Sequence, residues 1–313
     1  MVRYIAVRLV SLVFTLFVVS IIAFVLMRLV PGDPWADGEH ELPEATQAAR
    51  EEKYGLDDPL PVQYVRYMWN ALQGDFGVPF QSPTRTVTEL IADTWPVTIR
   101  IGLWTIFVSF GFGILFGTIA ALKHNTWLDY GITLFAGLGY VVPNFVVAVW
   151  LVLLFSFRLD WFPARGWDGP KYYVLPVIAY SLAPMALVAR YMRVSLLEVM
   201  RADYVRTARA KGLRERAVLF RHIGRNALIP FVTVLLPEIP NILTGSIFIE
   251  LYFGVPGLGR YFVTSTLSRD YPMILALVLL VAVVWGVTYL ITDILYTILD
   301  PRIRLIGGAR TGA

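Results

Sequence analysis

Six long apolar runs, separated by shorter polar segments, account for most of this chain. Each run holds roughly 20–27 residues, which is about the length an α-helix needs to cross a bilayer. The pattern predicts an all-α membrane protein with six transmembrane helices. The predicted spans are Leu9–Val30, Pro96–Leu122, Gly131–Phe157, Tyr173–Arg193, Leu228–Leu251 and Met273–Leu299.

The first run competes with a signal peptide as an interpretation. A signal peptide has an apolar core of only about 7–15 residues and ends in small residues at a cleavage site. This run is longer, and it ends in Arg28 followed by PGDP. We therefore interpret residues 1–30 as a cytoplasmic N-terminal end and a retained first span, with Arg3 and Arg8 on the cytoplasmic side.

Residues 31–95 are predicted to form an extracytoplasmic insert between the first two spans. By count, they carry twelve acidic and four basic residues. Helices are predicted at Pro43–Tyr54 and Pro61–Gln73, and Gly74 follows the second one. That second helix has an apolar face, which we expect to pack on the membrane domain or at the interface rather than to bind an external partner. The face consists of Tyr64, Tyr67, Met68 and Leu72.

Prolines and small residues interrupt the spans at defined points. Pro143 and Asn144 fall near the middle of the third span, where a broken helix and a polar amide should face other helices or a cavity. Pro176 and Pro184 predict kinks in the fourth span. In the second span, glycines at positions 113 and 117 predict the close approach of another helix.

The fifth span contains LPEIPN, in which Glu238 lies between two prolines. A carboxylate at membrane depth should be protonated, paired or facing water. Two interpretations remain open: a structural glutamate satisfied by helix ends that the prolines free, or a residue that lines a transport pathway. The pathway candidates are Asn144, Glu238 and Asn241.

A dense basic segment lies between the fourth and fifth spans. By count, residues 190–225 hold ten Lys or Arg against three acids. A charged side chain at mid-bilayer costs about 2.5–3.5 kcal/mol, so the segment is an aqueous loop, and its basic charge places it in the cytoplasm. One interpretation is that the loop only sets the membrane topology; the other is that it also carries a function.

This loop has the local signals of a short helix. Asp203 is placed as the N-cap, and Tyr204–Lys211 can form about two helical turns. Arg209 and Lys211 fall in the last turn, where cations favour the helix dipole, and Gly212 fits the C′ position. So short a helix is unstable alone in water. The helix therefore needs something to pack against, and we expect it to have no packing partner in its own chain.

Composition excludes several classes of function. Apolar residues make up 57% of the chain and charged residues 16%, and there is no cysteine. The chain has no GxxxxGKS/T nucleotide-binding motif, no HExxH metal motif and no clustered metal ligands, so we expect no catalytic or metal site. His124 is better explained as an interfacial residue than as a metal ligand. Because acidic and basic residues are segregated along the chain, the net charge of +4 does not indicate nucleic acid binding.

The basic segment YVRTARAKGL resembles the cytoplasmic EAA loop of ABC-transporter permeases, in the version found in dipeptide/oligopeptide importers. Arg206, Thr207 and Ala208 stand where the general pattern has Glu-Ala-Ala. The resemblance extends over nearly the whole chain. It is carried by PGDP at 31–34, LDDP at 56–59, Glu250 and Phe253, Pro256, Gly257 and Gly259, RDYP at 269–272 and DPRIR at 300–304.

The resemblance implies a type I ABC importer permease-like fold, with an EAA loop at about 198–228 in a core domain of residues 96–300. A cytoplasmic tail at 301–313 would follow. It also implies an inner-membrane subunit of a prokaryote with both termini in the cytoplasm. The implied partners are a homologous second permease, two cytoplasmic ABC ATPases that hold ATP and Mg, an extracytoplasmic substrate-binding protein and the lipid bilayer.

The same resemblance assigns ATPase coupling to the helix in the loop. Tyr204 and Ala208 are expected to pack in a groove of the ATPase, while Arg206 and Arg209 meet acids at its rim. The coupling residues are Asp203, Tyr204, Arg206, Ala208, Arg209, Lys211 and Gly212. Two alternatives to a peptide importer remain: a member of the same family for nickel, glycosides or another small solute, and an ion-driven carrier with Glu238 as its proton site. A third alternative, a structural membrane scaffold, is disfavoured because it does not explain the Pro, Asn and Glu residues within the spans.

Overall fold

A computed structural model describes residues 2–29, 57–80, 84–224, 226–228 and 235–299. This part of the chain is mostly helical and contains no β-strand, which confirms the predicted all-α class. The helices, numbered in chain order, are α1 (Val2–Leu29), α2 (Leu60–Leu72), α3 (Val87–Leu122), α4 (Trp127–Val141), α5 (Asn144–Leu151), α6 (Lys171–Met200), α7 (Asp203–Ala210), α8 (Glu215–Ala217), α9 (Glu238–Leu243), α10 (Ile247–Phe253), α11 (Gly259–Leu267) and α12 (Tyr271–Leu299). Two of them continue as π-helix, α5 through Val152–Arg158 and α8 through Val218–Gly224.

Within the described ranges, four helices are long and apolar enough to cross a membrane: α1, α3, α6 and α12. The pair of α4 with α5 and its π-helical extension meets the same criteria jointly and bends by 105°, which gives five spans if the pair counts as one. The predicted fifth span lies partly outside the described residues. Its described part is two short helices, α9 and α10, rather than one continuous span.

Several predicted features fall outside the described residues. They are the helix at Pro43–Tyr54, the PGDP and DPRIR motifs and the tail at 301–313.

Helix α3 begins nine residues before the predicted start of the second span. Its N-terminus is a capping box, in which the Thr86 hydroxyl accepts from the Glu89 amide at 3.2 Å and the Glu89 carboxylate accepts from the Thr86 amide at 3.1 Å. Pro96 therefore lies inside the helix. The sequence signal for this earlier start was the Thr-x-x-Glu pattern.

The predicted break at Pro143 is confirmed. Val142 has an extended backbone with ψ near 122°, as steric contact with a following proline requires. Helix α4 ends there, and the Pro143 carbonyl accepts the first amide hydrogen bonds of α5. By contrast, α6 continues through Pro176 and Pro184 as one helix of 30 residues.

The chain divides into two compact units. The first consists of Met1–Thr98 and Pro256–Gly286. In it, Tyr64 on α2 packs against α1, with its hydroxyl 2.8 Å from the Ser20 hydroxyl and its ring edge-on to Phe24. The Tyr67 hydroxyl donates to the Pro272 carbonyl at 3.5 Å, and burial raises the Tyr67 pKa. The expected packing of α2 on the membrane helices is confirmed for these tyrosines, whereas Leu72 is exposed.

The second unit consists of Ile99–Val255 and Val287–Ala313. Here α3 approaches α6 closely at Gly113 and Gly117. A Cβ atom at Gly113 would lie 2.5 Å from Val188 Cγ1, and one at Gly117 would overlap the Ala189 carbonyl oxygen. The close helix approach predicted from these glycines is confirmed.

Candidate functional site

The predicted cytoplasmic helix is present as α7, but its N-cap is not Asp203. Ala202 is the N-cap, with extended backbone, and its carbonyl accepts from the Val205 amide at 3.0 Å. Asp203 is the first helical residue, and its carboxylate lies 3.6 Å from the Arg206 guanidinium. An acid in the first turn still interacts favourably with the helix dipole. The predicted N-cap is therefore wrong by one residue.

The predicted end of α7 at Gly212 is confirmed. Gly212 has φ of 72°, a left-handed conformation that glycine adopts without the steric cost of a Cβ. Its amide donates to the Arg209 carbonyl at 2.9 Å, and the Leu213 amide donates to the Ala208 carbonyl at 3.4 Å. These two bonds form a Schellman motif, which satisfies the last carbonyls of the helix.

One face of α7 is buried in its own chain. Val205 is fully buried and Ala208 is 5% exposed. Both belong to an apolar cluster that also contains Leu196, Val218, Ile223 and other residues of the second unit. The expectation that α7 has no packing partner of its own is wrong, and Ala208 is turned away from any docking subunit. The sequence signal for this inner face was the pair of apolar residues at i and i+3.

The opposite face of α7 is exposed. Tyr204 is 43% exposed, and Leu213, just past the helix end, is exposed to a similar degree. The polar residues of this surface are Arg206, Thr207 and Lys211. We call Tyr204, Arg206, Thr207, Lys211 and Leu213 the coupling face, after the role that the resemblance implies for α7.

Arg209 is paired within the chain. Its guanidinium donates to the Glu215 carboxylate in a bidentate arrangement, at 2.7 and 3.2 Å. The hydrogen bonds from Arg209 lower the pKa of Glu215, and the same pair raises the pKa of Arg209. This ion pair connects the end of α7 to the start of α8. Arg209 therefore stabilises the conformation of the loop between the two helices.

The three pathway candidates line one cavity in the second unit. It has a volume of about 480 Å³, and we call it the polar cavity. Its lining residues are Tyr140, Asn144, Tyr180, Ala183, Pro184, Leu187, Tyr191, Glu238, Asn241 and Ile242.

Broken helices bring the polar groups to this cavity. The break at Pro143 places Asn144 at the start of α5, where its amide donates to the Ser246 hydroxyl at 3.3 Å. Glu238 starts α9, and the Asn241 amide lies 3.5 Å from its carboxylate. The Tyr180 hydroxyl on α6 donates to the Asn241 carbonyl at 3.1 Å, which ties α9 to α6.

A buried ionic cluster at one end of α4 was not anticipated. Asp129 is 1% exposed, and its carboxylate accepts from the Arg193 guanidinium at 2.5 and 2.8 Å. His124 Nδ1 lies 3.0 Å from the same carboxylate, which also accepts from the Asn125 amide at 3.0 Å. We call Asp129, Arg193 and His124 the ionic cluster. The sequence signal was an acid within an apolar run, which requires a partner.

Comparisons with known proteins agree with this architecture. Residues 113–305 match the family described as "Binding-protein-dependent transport system inner membrane component", and residues 1–102 match the N-terminal domain described for such membrane components. The chain is 42% identical over 306 residues to the oligopeptide transport system permease protein OppB of Salmonella typhimurium, with 97% of this chain and 100% of that protein covered. It is 40% identical over 305 residues to the dipeptide transport system permease protein DppB of Bacillus subtilis, covering 97% and 99% of the two chains.

A solved structure gives the same fold at low identity. A chain of the inward-facing MetNI methionine ABC transporter superposes with a TM-score of 0.57 at 14% identity, covering 67% of this chain and 96% of that one. The helical core therefore shares the fold of that ABC transporter chain. With both family profiles matched and the similarity spanning almost the full length, this chain belongs to the family of inner-membrane components of binding-protein-dependent transport systems.

Proposed function

We propose that this chain is the permease subunit of an ATP-driven importer that moves dipeptides and oligopeptides across the cytoplasmic membrane of a prokaryote. The observation that carries this proposal is about 40% identity over nearly the whole length to oligopeptide and dipeptide permeases. Relatives named for peptides favour peptides over nickel or glycosides. Membership of the transport family also disfavours the ion-driven carrier.

The proposed topology has six membrane spans, with both termini in the cytoplasm. The basic loop at 190–225 and the acidic insert at 31–95 support this orientation, because cytoplasmic loops carry an excess of Lys and Arg. The fifth span in chain order is assigned to the region of α9 and α10, part of which lies outside the described residues.

The proposed assembly pairs this chain with a second permease, two cytoplasmic ABC ATPases and an extracytoplasmic binding protein. ATP and Mg are bound by the ATPases, which accords with the absence of a P-loop motif in this sequence. The coupling face of α7 is the proposed contact with an ATPase. Of the predicted coupling residues, Tyr204, Arg206 and Lys211 remain in this role.

The other predicted coupling residues shape α7 instead of contacting a partner directly. Ala208 seats the helix on the core, Asp203 lies in its first turn, Gly212 ends it and Arg209 holds the following turn. Burial excludes Ala208, because a side chain that is already packed inside the permease is not available to a groove on another subunit. Asp203, Arg209 and Gly212 are exposed, and their assignment rests on their contacts and positions at the ends of α7.

A direct mechanical connection supports transmission from α7 to the polar cavity. Only Arg201 and Ala202 separate α6 from α7, and α6 contributes Tyr180 and Pro184 to the cavity lining. Movement of α7 by the ATPases would therefore displace the helix that borders the cavity. Helix α6 packs closely against α3 at Gly113 and Gly117, and the ionic cluster connects it to α4. Because close-packed interiors have low compressibility, these three helices should move together.

The proposal is tested with a pair of matched threonines. Thr207 lies on the coupling face, and Thr264 lies on α11; both hydroxyls bond the carbonyl four residues earlier, at 3.1 and 3.0 Å, and both side chains are exposed. In the complete transporter in proteoliposomes, Thr207→Glu should lower ATP-dependent peptide uptake at least about tenfold, because a bulky charge blocks docking. Thr264→Glu should retain uptake.

Two results separate the parts of this proposal. Normal uptake by Thr207→Glu would exclude the coupling face while leaving the transport function in place. Uptake by the unaltered transporter that survives ATP depletion but collapses with an uncoupler would exclude an ATP-driven importer and favour the ion-driven carrier.

A further inference from the structure

We propose that the polar cavity binds the ammonium group of a passing peptide, with Glu238 as the counter-charge. The inference rests on the proposed function and assigns a chemical selectivity to one site on the pathway. Its starting point is the combination of one carboxylate with three tyrosines around a single cavity of about 480 Å³. That volume lies within the range of small-ligand pockets, about 300–1,000 Å³.

The charge of the cavity favours a cation. Among the described residues that line it, Glu238 is the one ionisable acid, and no Lys or Arg is present. Arg190 and Arg193 line a neighbouring cavity of about 380 Å³ instead. The Arg193 charge is already neutralised by the buried Asp129 carboxylate. Among the described residues that line the polar cavity, the formal charge is therefore that of Glu238.

The aromatic residues strengthen this preference. Tyr140, Tyr180 and Tyr191 lie around the same space as Glu238. Aromatic faces attract ammonium groups through their quadrupoles, and hydroxyl oxygens accept hydrogen bonds from them. A site made of one carboxylate and several aromatic rings binds a ligand's primary ammonium group better than a ligand's carboxylate or neutral amide group.

The site is suited to weak binding. Glu238 is half-buried, and its contact with the Asn241 amide, at 3.5 Å, is long for a hydrogen bond. An incoming ammonium group can therefore replace this contact at little cost. Passage requires binding that is favourable enough for entry and weak enough for release. A rigid, fully buried ion pair would hold the peptide in place.

Two sources could supply the ammonium group: the free amino terminus of a peptide or a lysine side chain. The experiment uses trialanine, N-acetyl-trialanine and N-acetyl-Ala-Lys-Ala. Uptake of each is measured with the complete transporter and its binding protein in proteoliposomes. Because the same binding protein delivers each peptide, the comparison is made between permease variants for one peptide at a time, which removes the binding protein's own selectivity.

The variants are chosen to separate charge from shape. Glu238→Gln removes the charge with little change in size, Glu238→Asp keeps the charge, and Glu238→Lys reverses it. Asp168→Asn is the matched control, because it removes an exposed carboxylate that does not line the polar cavity.

We expect Glu238→Gln to lower trialanine uptake by roughly three- to tenfold, the size of a partly solvated ammonium contact, and to leave N-acetyl-trialanine unchanged. Glu238→Asp should restore much of the loss, and Glu238→Lys should deepen it. If Glu238→Gln also lowers the uptake of N-acetyl-Ala-Lys-Ala, the site accepts either kind of ammonium group. If the uptake of N-acetyl-Ala-Lys-Ala is unchanged, the site accepts only the amino terminus of the peptide.

Equal effects of Glu238→Gln on charged and acetylated peptides, or no effect on either, would overturn the inference and leave the importer intact. The same holds if Asp168→Asn reproduces the selectivity change. If the unaltered transporter shows no ATP-dependent uptake of any of these peptides, the proposed function fails and this inference fails with it.

Discussion

Replacing Asp129 by Asn tests whether the ionic cluster holds α4 against α6. The substitution keeps the size of the side chain and removes its charge. Arg193, whose side chain is 24% exposed, then loses the carboxylate that accepts two of its hydrogen bonds. Removing one partner of a buried ion pair costs about 3–5 kcal/mol. Because Arg193 keeps some contact with solvent, we expect a loss of about 2–3 kcal/mol in stability.

The assay is the thermal denaturation midpoint of the purified transporter in lipid nanodiscs, together with peptide uptake. A stability loss of about 2–3 kcal/mol should lower the denaturation midpoint by roughly 5–10 °C, because the shift per kcal/mol is small for a chain of several hundred residues. Asp93→Asn is the matched control, since Asp93 also pairs with an arginine, Arg85, but its side chain is 64% exposed. An exposed pair is worth about 0–1 kcal/mol, so that variant should denature almost normally.

A double replacement completes the test. The combined change Asp129→Leu and Arg193→Met should recover at least half of the stability lost in Asp129→Asn, because no uncompensated charge remains in the interior. If Asp129→Asn behaves like Asp93→Asn, the reasoning is refuted, and α4 is held to α6 by apolar packing alone.

Three further predictions concern local packing and use the same denaturation assay. Gly117→Ala should destabilise by about 1–3 kcal/mol, because the added methyl would overlap the Ala189 carbonyl, whereas Gly111→Ala, with open space around it, should not. Gly212→Ala should cost about 1–2 kcal/mol through its positive φ and should reduce the hydrogen-exchange protection of α7; unchanged protection would contradict the helix cap. Tyr64→Phe should cost about 0.5–1.5 kcal/mol by removing the hydroxyl contact with α1, and a midpoint equal to that of the unaltered protein would show that this contact is dispensable.

The sequence by itself determined the membrane class, most span positions and the ends of several elements. Bilayer thickness sets the length and the apolar composition of a spanning helix, so both can be recognised directly in the amino-acid sequence. Proline breaks at position 143 and the glycine cap at 212 follow from backbone sterics, which are equally local. The YVRTARAKGL loop and the other motifs indicated the family, which the profile matches confirm.

Tertiary structure alone decided which faces and which distant residues meet. The apolar pair Val205 and Ala208 indicated one apolar face on α7, but the loop sequence did not show whether that face packs on its own chain or on another subunit. The polar cavity joins Asn144 to Glu238 and Asn241, and the ionic cluster joins Asp129 to Arg193, across long stretches of chain. Such pairs form because helix packing brings them together, and no local pattern records which partner a buried charge will find.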